Sequence, residues 1–181
     1  MGSEFRLRGV NHLALVCSDM AATVEFYRDV LGLPLTKTLE LPNGMGQHFF
    51  FDIGNGDSLA FFWFPDAPAR VPGVTAPAAL PGRGDITSAV GSMNHIAFDV
   101  APEDIEGYAK RLREKGIKIS GPIYHDDSPQ GWSPELHDGV FVRSVYFFDP
   151  DGLQLEFAAW MRPLTPDDVR HTPARRLPAS V

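Results

Sequence analysis

The chain has 181 residues, which suits one domain of ordinary size or two small modules around a shared core. Its 23 acidic and 16 basic residues give a formal charge of −7, which disfavours binding to the phosphate backbone of nucleic acid. No run approaches the roughly 20 apolar residues needed to cross a bilayer, so a membrane-spanning helix is excluded. Cys17 is the single cysteine, and an unpaired thiol is typical of a cytoplasmic location.

The first module is predicted over residues 6–64. Residues 1–5 lack the apolar core and cleavage site of an export signal and are interpreted as a cloning remnant. A strand is predicted over 10–16, followed by a helix over 19–31 with Ser18 or Asp19 as its N-cap and Gly32 as its C-cap. Three further strands complete a βαβββ unit, and we expect them over 33–41, 46–53 and 58–64.

The second module, over residues 93–160, repeats the first. The sequence VNHLALV at 10–16 recurs as MNHIAFD at 93–99, which places a histidine at the same point of each half. After the second copy, the apolar spacing predicts a helix over 102–115 and then strands over 117–124, 140–148 and 153–160. The sequence therefore predicts an α+β fold of two tandem βαβββ modules.

Two segments lie outside these modules. Residues 65–92 are rich in Pro, Ala and Gly and are interpreted as the inter-module linker, which is long enough to act as a functional loop or lid. Residues 161–181 form a polar tail that we expect to lie on the surface or to contact a partner subunit.

Three residues are candidate metal ligands: His12, His95 and Glu156. The two histidines occupy equivalent positions in the repeat, and Glu156 lies among apolar residues where an unpaired carboxylate would be costly to bury. Histidine nitrogen and carboxylate oxygen together suit Fe²⁺, Mn²⁺, Zn²⁺, Co²⁺ or Ni²⁺. Taken one at a time, each residue could equally be an ordinary core histidine or a strand-end glutamate.

The duplicated unit, with the sequence YFFDPDGLQLE at 146–156, resembles the vicinal oxygen chelate superfamily. This superfamily includes glyoxalase I, methylmalonyl-CoA epimerase, fosfomycin-resistance and bleomycin-binding proteins, and type I extradiol dioxygenases. The resemblance covers about residues 7–160. It implies two modules whose mixed sheets form a cup around one divalent metal.

The ligand count is most similar to that of the extradiol dioxygenases. The first-half position that corresponds to Glu156 falls on Ala60, or on Leu59 or Phe61 with a shift of one residue, and none of these can bind a metal. Glyoxalase I and the epimerase use four protein ligands, so the chain departs from them. Two histidines and one carboxylate leave one face of the ion open, which implies Fe²⁺ as the preferred metal, with O₂ and a small vicinal-oxygen substrate such as an aromatic diol.

The ring-cleaving signature also matches at His137, Val145 and Tyr146, whereas Glu135 stands where that family prefers a small or aliphatic residue. The resemblance implies that Tyr146 hydrogen-bonds near the substrate and that His137 lies in the second sphere. A structural role for Tyr146 and a surface position for His137 are the alternatives.

His48 is a third catalytic candidate. Strand alternation places it on one face with Phe50 and Asp52, and it could act as an acid or base if that face is the cup interior. His125 and His171 are expected at the surface.

Two other functions stay open. One is a glyoxalase-type isomerase or lyase in which water replaces the missing fourth ligand. The other is a small-molecule binding protein of the bleomycin-resistance kind. In all three cases we expect a homodimer.

Overall fold

The computed structural model describes residues 8–174. The first module contains β1 (His12–Cys17), α1 (Met20–Val24) with its π-helical continuation (Glu25–Val30), β2 (Leu35–Glu40), β3 (Gln47–Gly54) and β4 (Asp57–Trp63). Its sheet has the order β1-β4-β3-β2, and only the β1–β4 pair is parallel. The expected cloning remnant at 1–5 and the end of the tail at 175–181 lie outside the described residues.

The second module repeats this arrangement with the elements β5 (Ile96–Asp99), α2 (Ile105–Glu114), β6 (Ile119–His125), β7 (Val142–Phe148) and β8 (Gln154–Trp160). Its sheet order is β5-β8-β7-β6, again with one parallel pair, β5–β8. The prediction of an α+β fold with tandem βαβββ modules is confirmed. No helix within residues 8–174 is long and apolar enough to cross a bilayer.

The first helix begins at a side-chain cap. Asp19 Oδ1 accepts hydrogen bonds from the backbone N–H groups of Ala21 and Ala22 at 2.8 and 3.0 Å, which satisfies donors that a helix start leaves unpaired. The second half of this helix is wound as a π-helix, which the apolar spacing alone did not predict. Gly32, with φ of +81°, follows it as expected for a helix-ending residue.

One hydrophobic core runs through both modules. In the first sheet, β1 directs Leu13, Leu15 and Cys17 toward this core and leaves His12 and Val16 exposed on the other face. In the second sheet, the core-facing side chains of β5 and β8 are Ile96, Phe98, Leu155, Phe157 and Ala159. Each sheet packs one face on the shared core. The opposite face of each sheet therefore points away from the core.

The linker contains no helix or regular strand, but it is packed against the second module. Leu80 is only 4% exposed, and Arg83 Nη2 donates a hydrogen bond of 2.9 Å to the carbonyl of Ile119 at the start of β6. Ser120 Oγ also donates to the carbonyl of Pro81. These contacts hold the linker against the β6 edge of the second sheet.

Candidate metal centre

Two of the three predicted ligands meet on the second sheet. Glu156 lies on β8, and His95 precedes β5, the strand that pairs with β8. His95 Nε2 lies 3.1 Å from Glu156 Oε2. The glutamate is 5% exposed, whereas the histidine side chain is 38% exposed, so one side of the pair is open.

The orientation of the His95 ring is fixed by Asn94. The Asn94 side-chain nitrogen donates hydrogen bonds to the carbonyl of Ile86 at 3.0 Å and to Ser88 Oγ at 3.2 Å. Its Oδ1 therefore faces His95 Nδ1, at 2.8 Å, and must accept a hydrogen bond from it. With the hydrogen on Nδ1, Nε2 of a neutral His95 carries its lone pair toward Glu156.

This arrangement fits a cation. A neutral His95 and an ionised Glu156 present two acceptors to each other, so a proton or a metal ion must lie between them. Burial raises the pKa of the Glu156 carboxyl, but hydrogen bonding with His95, Ser144 and Tyr146 and the charge of His95 together bring the pKa below its ordinary value. Metal-binding histidines characteristically donate their other ring N–H to a carbonyl-type oxygen, as His95 does to Asn94.

The third predicted ligand, His12, lies apart from this pair. It stands at the start of β1 on the exposed face of the first sheet, where its ring contacts Phe50 at 5.6 Å between centroids. Its Nδ1 is 2.8 Å from Asn11 Oδ1, the same second-sphere contact that His95 makes. Within residues 8–174, no group of three or more His, Cys, Asp or Glu side chains is close enough to hold a metal. A single chain therefore does not assemble the expected three-ligand site, because the two sheets pack on the core through their other faces.

Tyr146 lies beside the pair. It is the cross-strand neighbour of Glu156, and its hydroxyl lies 3.0 Å from His125 Nε2. Burial, together with the nearby charge of Glu156, raises the pKa of Tyr146. The phenol therefore stays protonated at neutral pH and can donate a hydrogen bond.

The contact of Tyr146 with His125 was not predicted from the sequence, because His125 was expected at the surface. The register of β6 against β7 shifts between Ser120 and Ile123, so residues after the shift change faces. Counting alternation from Ser120 would put His125 on the core side, whereas the shift brings it to the face of Tyr146. No feature of the sequence marked this shift except the Gly-Pro pair at 121–122.

The other two catalytic candidates lie elsewhere. His137 is exposed and contacts Asp126, with 3.1 Å between Nε2 and Oδ2, so it lies at the surface, the alternative to the second-sphere position. His48 is 8% exposed and lies on the same face of the first sheet as His12. Its Nδ1 donates to the carbonyl of Phe61 at 3.1 Å, and its ring stacks on Phe62 with 3.6 Å between centroids.

The comparisons with known proteins agree with this fold. Residues 9–157 match the profile of the Glyoxalase/Bleomycin resistance protein/Dioxygenase superfamily, and the chain belongs to this superfamily. Dependence on a divalent metal, small-molecule substrates and homodimers are typical of the family.

Two curated relatives are enzymes named as transferases. The chain is 31% identical to the glutathione transferase FosA of Serratia marcescens, over 83% of this chain and 79% of the relative. It is 27% identical to the metallothiol transferase FosB of Staphylococcus haemolyticus, over 83% of this chain and 82% of the relative. The crystal structure of a glyoxalase/dioxygenase from Nostoc punctiforme aligns with a TM-score of 0.60 and 25% identity, covering 90% of this chain and 97% of that one.

Proposed function

We propose that the chain is a divalent-metal-dependent enzyme that acts, as a homodimer, on a small molecule with two neighbouring oxygen atoms. The observation that carries this proposal is the His95–Glu156 pair, whose Nε2 and Oε2 atoms converge at 3.1 Å with the histidine held by Asn94. A metal between them would have two protein ligands from one chain. His12 of the second copy supplies the third.

The need for a second copy follows from the two sheet faces. His12 lies on one and Glu156 on the other, and each carries exposed apolar side chains, including Val16 at 54% and Trp160 at 53% exposure. A two-fold axis that sets the His12 face of one copy against the Glu156 face of the other would cover both faces. It would form two equivalent sites, because the contact is then made twice.

Each side chain near the pair has a defined role in this proposal. When bound, a divalent ion would polarise a substrate oxygen as a Lewis acid. Tyr146, protonated and held by His125, would hydrogen-bond through its hydroxyl oxygen with a substrate hydroxyl beside Glu156. His48 and Phe50 would line the opposite wall from the second copy, next to its His12.

The charge of the second-sheet face bears on how an anionic substrate would bind. Among the described strand residues that share this face with Glu156, none is Lys or Arg, and Asp99 adds a negative charge. The bound metal ion would therefore be the main counter-charge for an anionic substrate, with the Arg70 guanidinium at the edge of this face, 5.8 Å from the Phe148 ring centroid. We infer that the reaction is the addition of a thiol to the substrate, by analogy with the two named transferases.

Ring cleavage by Fe²⁺ and O₂ is the second candidate function. The observation that favours it is the aromatic character of the His12 face, where His48 stacks on Phe62, and Phe62 stacks on Phe64 at 5.4 Å. An aromatic diol could pack on this surface while its two oxygens reach the metal ligands.

The test is metal content after anaerobic purification, for the wild type and for His12→Ala, His95→Ala and Glu156→Ala. His171→Ala, at an exposed position in the tail, is the matched control. We expect near-stoichiometric metal in the wild type and the control and its loss in the three variants. Metal that survives all three substitutions would refute the site.

Activity assays on the loaded protein then separate the two functions. Thiol consumption with a small epoxide, an electrophile whose ring a thiol can open by addition, and no O₂ uptake would support the transferase. Iron content with catechol-dependent O₂ uptake would support the dioxygenase.

A further inference from the structure

Asn94 joins the metal-ligand pair to the linker. Its Oδ1 faces His95 Nδ1 at 2.8 Å, and its nitrogen donates to Ile86 and Ser88, which lie in the linker. The amide can present its oxygen to His95 only while its nitrogen finds acceptors on the opposite side. Residues 85–92, called the hinge segment below, supply those acceptors.

The hinge segment is itself ordered by hydrogen bonds to other residues of the linker. Asp85 Oδ1 accepts a hydrogen bond from the N–H of Thr87 at 2.9 Å, and the N–H of Ala89 donates to the carbonyl of Val74 at 3.1 Å. Ser92 Oγ donates to the carbonyl of Ala89 at 2.8 Å. The acceptors for Asn94 are therefore placed by the fold of the linker.

The equivalent residue of the first half lacks this connection. Asn11 Oδ1 contacts His12 Nδ1 at 2.8 Å, but within residues 8–174 its side-chain nitrogen has no hydrogen-bond partner. The Asn-His pair thus recurs in both modules, but of the two asparagine side chains only that of Asn94 is hydrogen-bonded to a loop within residues 8–174. Among the described residues, the linker is therefore connected through Asn94 to one proposed metal ligand, His95, and has no such connection to His12.

We propose that Asn94 is a positioning residue that couples the conformation of the hinge segment to metal binding at His95. The inference rests on the proposed metal site. If an ordered hinge segment favours the ring orientation that binds metal, then metal binding must stabilise the segment by the same free energy, because coupling between two events is reciprocal. Linker residues that touch no ligand then influence metal affinity.

Metal affinity gives the first test. The dissociation constant for Mn²⁺ is measured by competition with a chromophoric chelator. Asn94→Ala is expected to weaken binding by about 10- to 100-fold, the range for a lost second-sphere partner. Ser88→Ala should weaken it roughly threefold, because Ile86 still accepts and one hydrogen bond is lost. Ser92→Ala is the matched control, since its hydroxyl lies in the same segment without contacting Asn94.

Hydrogen exchange gives the second test. Mn²⁺ should slow amide exchange in residues 85–92 of the wild type and leave it unchanged in Asn94→Ala. Asn94→Asp keeps an acceptor beside His95 Nδ1 but cannot donate to Ile86. Its hinge segment should therefore exchange faster, and its metal affinity should lie between those of the wild type and Asn94→Ala. That separation would exclude simple unfolding as the cause of the Asn94→Ala result.

The outcomes distinguish this inference from the proposed function. If the wild type binds metal but Asn94→Ala and Ser88→Ala bind it equally well, the coupling is refuted and the metal site stands. If the wild type binds no metal, the proposed function fails. Amide exchange in the metal-free protein then tests whether Asn94 orders the hinge segment. Unchanged rates in residues 85–92 of Asn94→Ala would show that it does not. Faster rates would show that it does.

Discussion

The hydroxyl of Tyr27 donates a hydrogen bond of 3.0 Å to Asp149 Oδ2 and so joins the helix of the first module to the Asp-Pro-Asp-Gly turn of the second. Both residues are buried, and Asp149 Oδ1 also accepts from the N–H of Leu153 at 2.8 Å. This contact lies inside the interface between the two modules. Removing this hydrogen bond therefore tests how much it contributes to the stability of the interface between the modules.

Tyr27→Phe should lower the free energy of unfolding by about 1–2 kcal/mol, because it removes one hydrogen bond to a buried carboxyl without changing the packing of the ring. Urea unfolding measures the change. Tyr108→Phe is the matched control, since the Tyr108 hydroxyl makes only a long contact of 3.4 Å with Asp104, and we expect no measurable effect there. Equal effects of the two substitutions would contradict a special role for the Tyr27 contact.

Asp149 should make stability depend on pH. Burial raises the pKa of Asp149 to about 6, against a usual value of about 4 in an unfolded chain. The folded state thus favours the protonated acid, and the resulting stabilisation is complete below about pH 4 and is lost as the pH rises through 6. The shift corresponds to an effect on the order of 3 kcal/mol.

Asp149→Asn isolates this contribution, because an amide cannot ionise. We expect wild type and variant to differ little in unfolding free energy at pH 4 and the variant to become the more stable as the pH rises to 7. A difference that does not change with pH would contradict the raised pKa of Asp149.

Most of the fold could be predicted from the sequence. Alternating apolar residues, turn residues and the repeated Asn-His pair located eight strands and two helices, because these signals depend on neighbours within a few residues. These are local or repeat-related features. The grouping of His95 with Glu156 rested on the resemblance to the superfamily, and the pairing of β5 with β8 brings the two side chains together.

The sequence did not predict which surfaces the modules use to meet. Both faces of the first sheet carry aromatic side chains, Phe49 and Phe51 on one and Phe50 and Phe62 on the other, so hydrophobicity does not distinguish the core face. The position of His125 was missed because one register shift reverses the alternation of β6. Both failures concern how strands and sheets contact each other, namely the choice of core face and the register of β6. A single sequence shows no local pattern that predicts either.

Two glycines should respond oppositely to alanine. Gly46 has φ of +143°, and an added Cβ would lie 1.9 Å from the carbonyl oxygen of Trp63, so Gly46→Ala should cost about 3 kcal/mol or more. Gly107 lies in α2 with nothing within 4 Å of an added Cβ, so Gly107→Ala should stabilise the protein by about 0.5–1 kcal/mol. Thermal unfolding of both variants checks the pair, and a stabilising Gly46→Ala would contradict the close approach to Trp63.

Mixed dimers test whether the metal site is shared between two copies. His12→Ala and His95→Ala are each expected to give homodimers that bind no metal, because every site lacks one ligand. In a heterodimer of the two variants, one site would combine intact His12 from the His95→Ala chain with intact His95 and Glu156 from the His12→Ala chain. The other site would lack both histidines.

Differently tagged copies allow the heterodimer to be purified, and its metal content is measured by atomic spectroscopy. We expect about one metal per heterodimer, against about two for the wild type, because one of the two symmetric sites is restored. A site formed within each chain would leave the heterodimer without metal. Metal retained by the His12→Ala homodimer would mean that His95 and Glu156 bind it without the second copy.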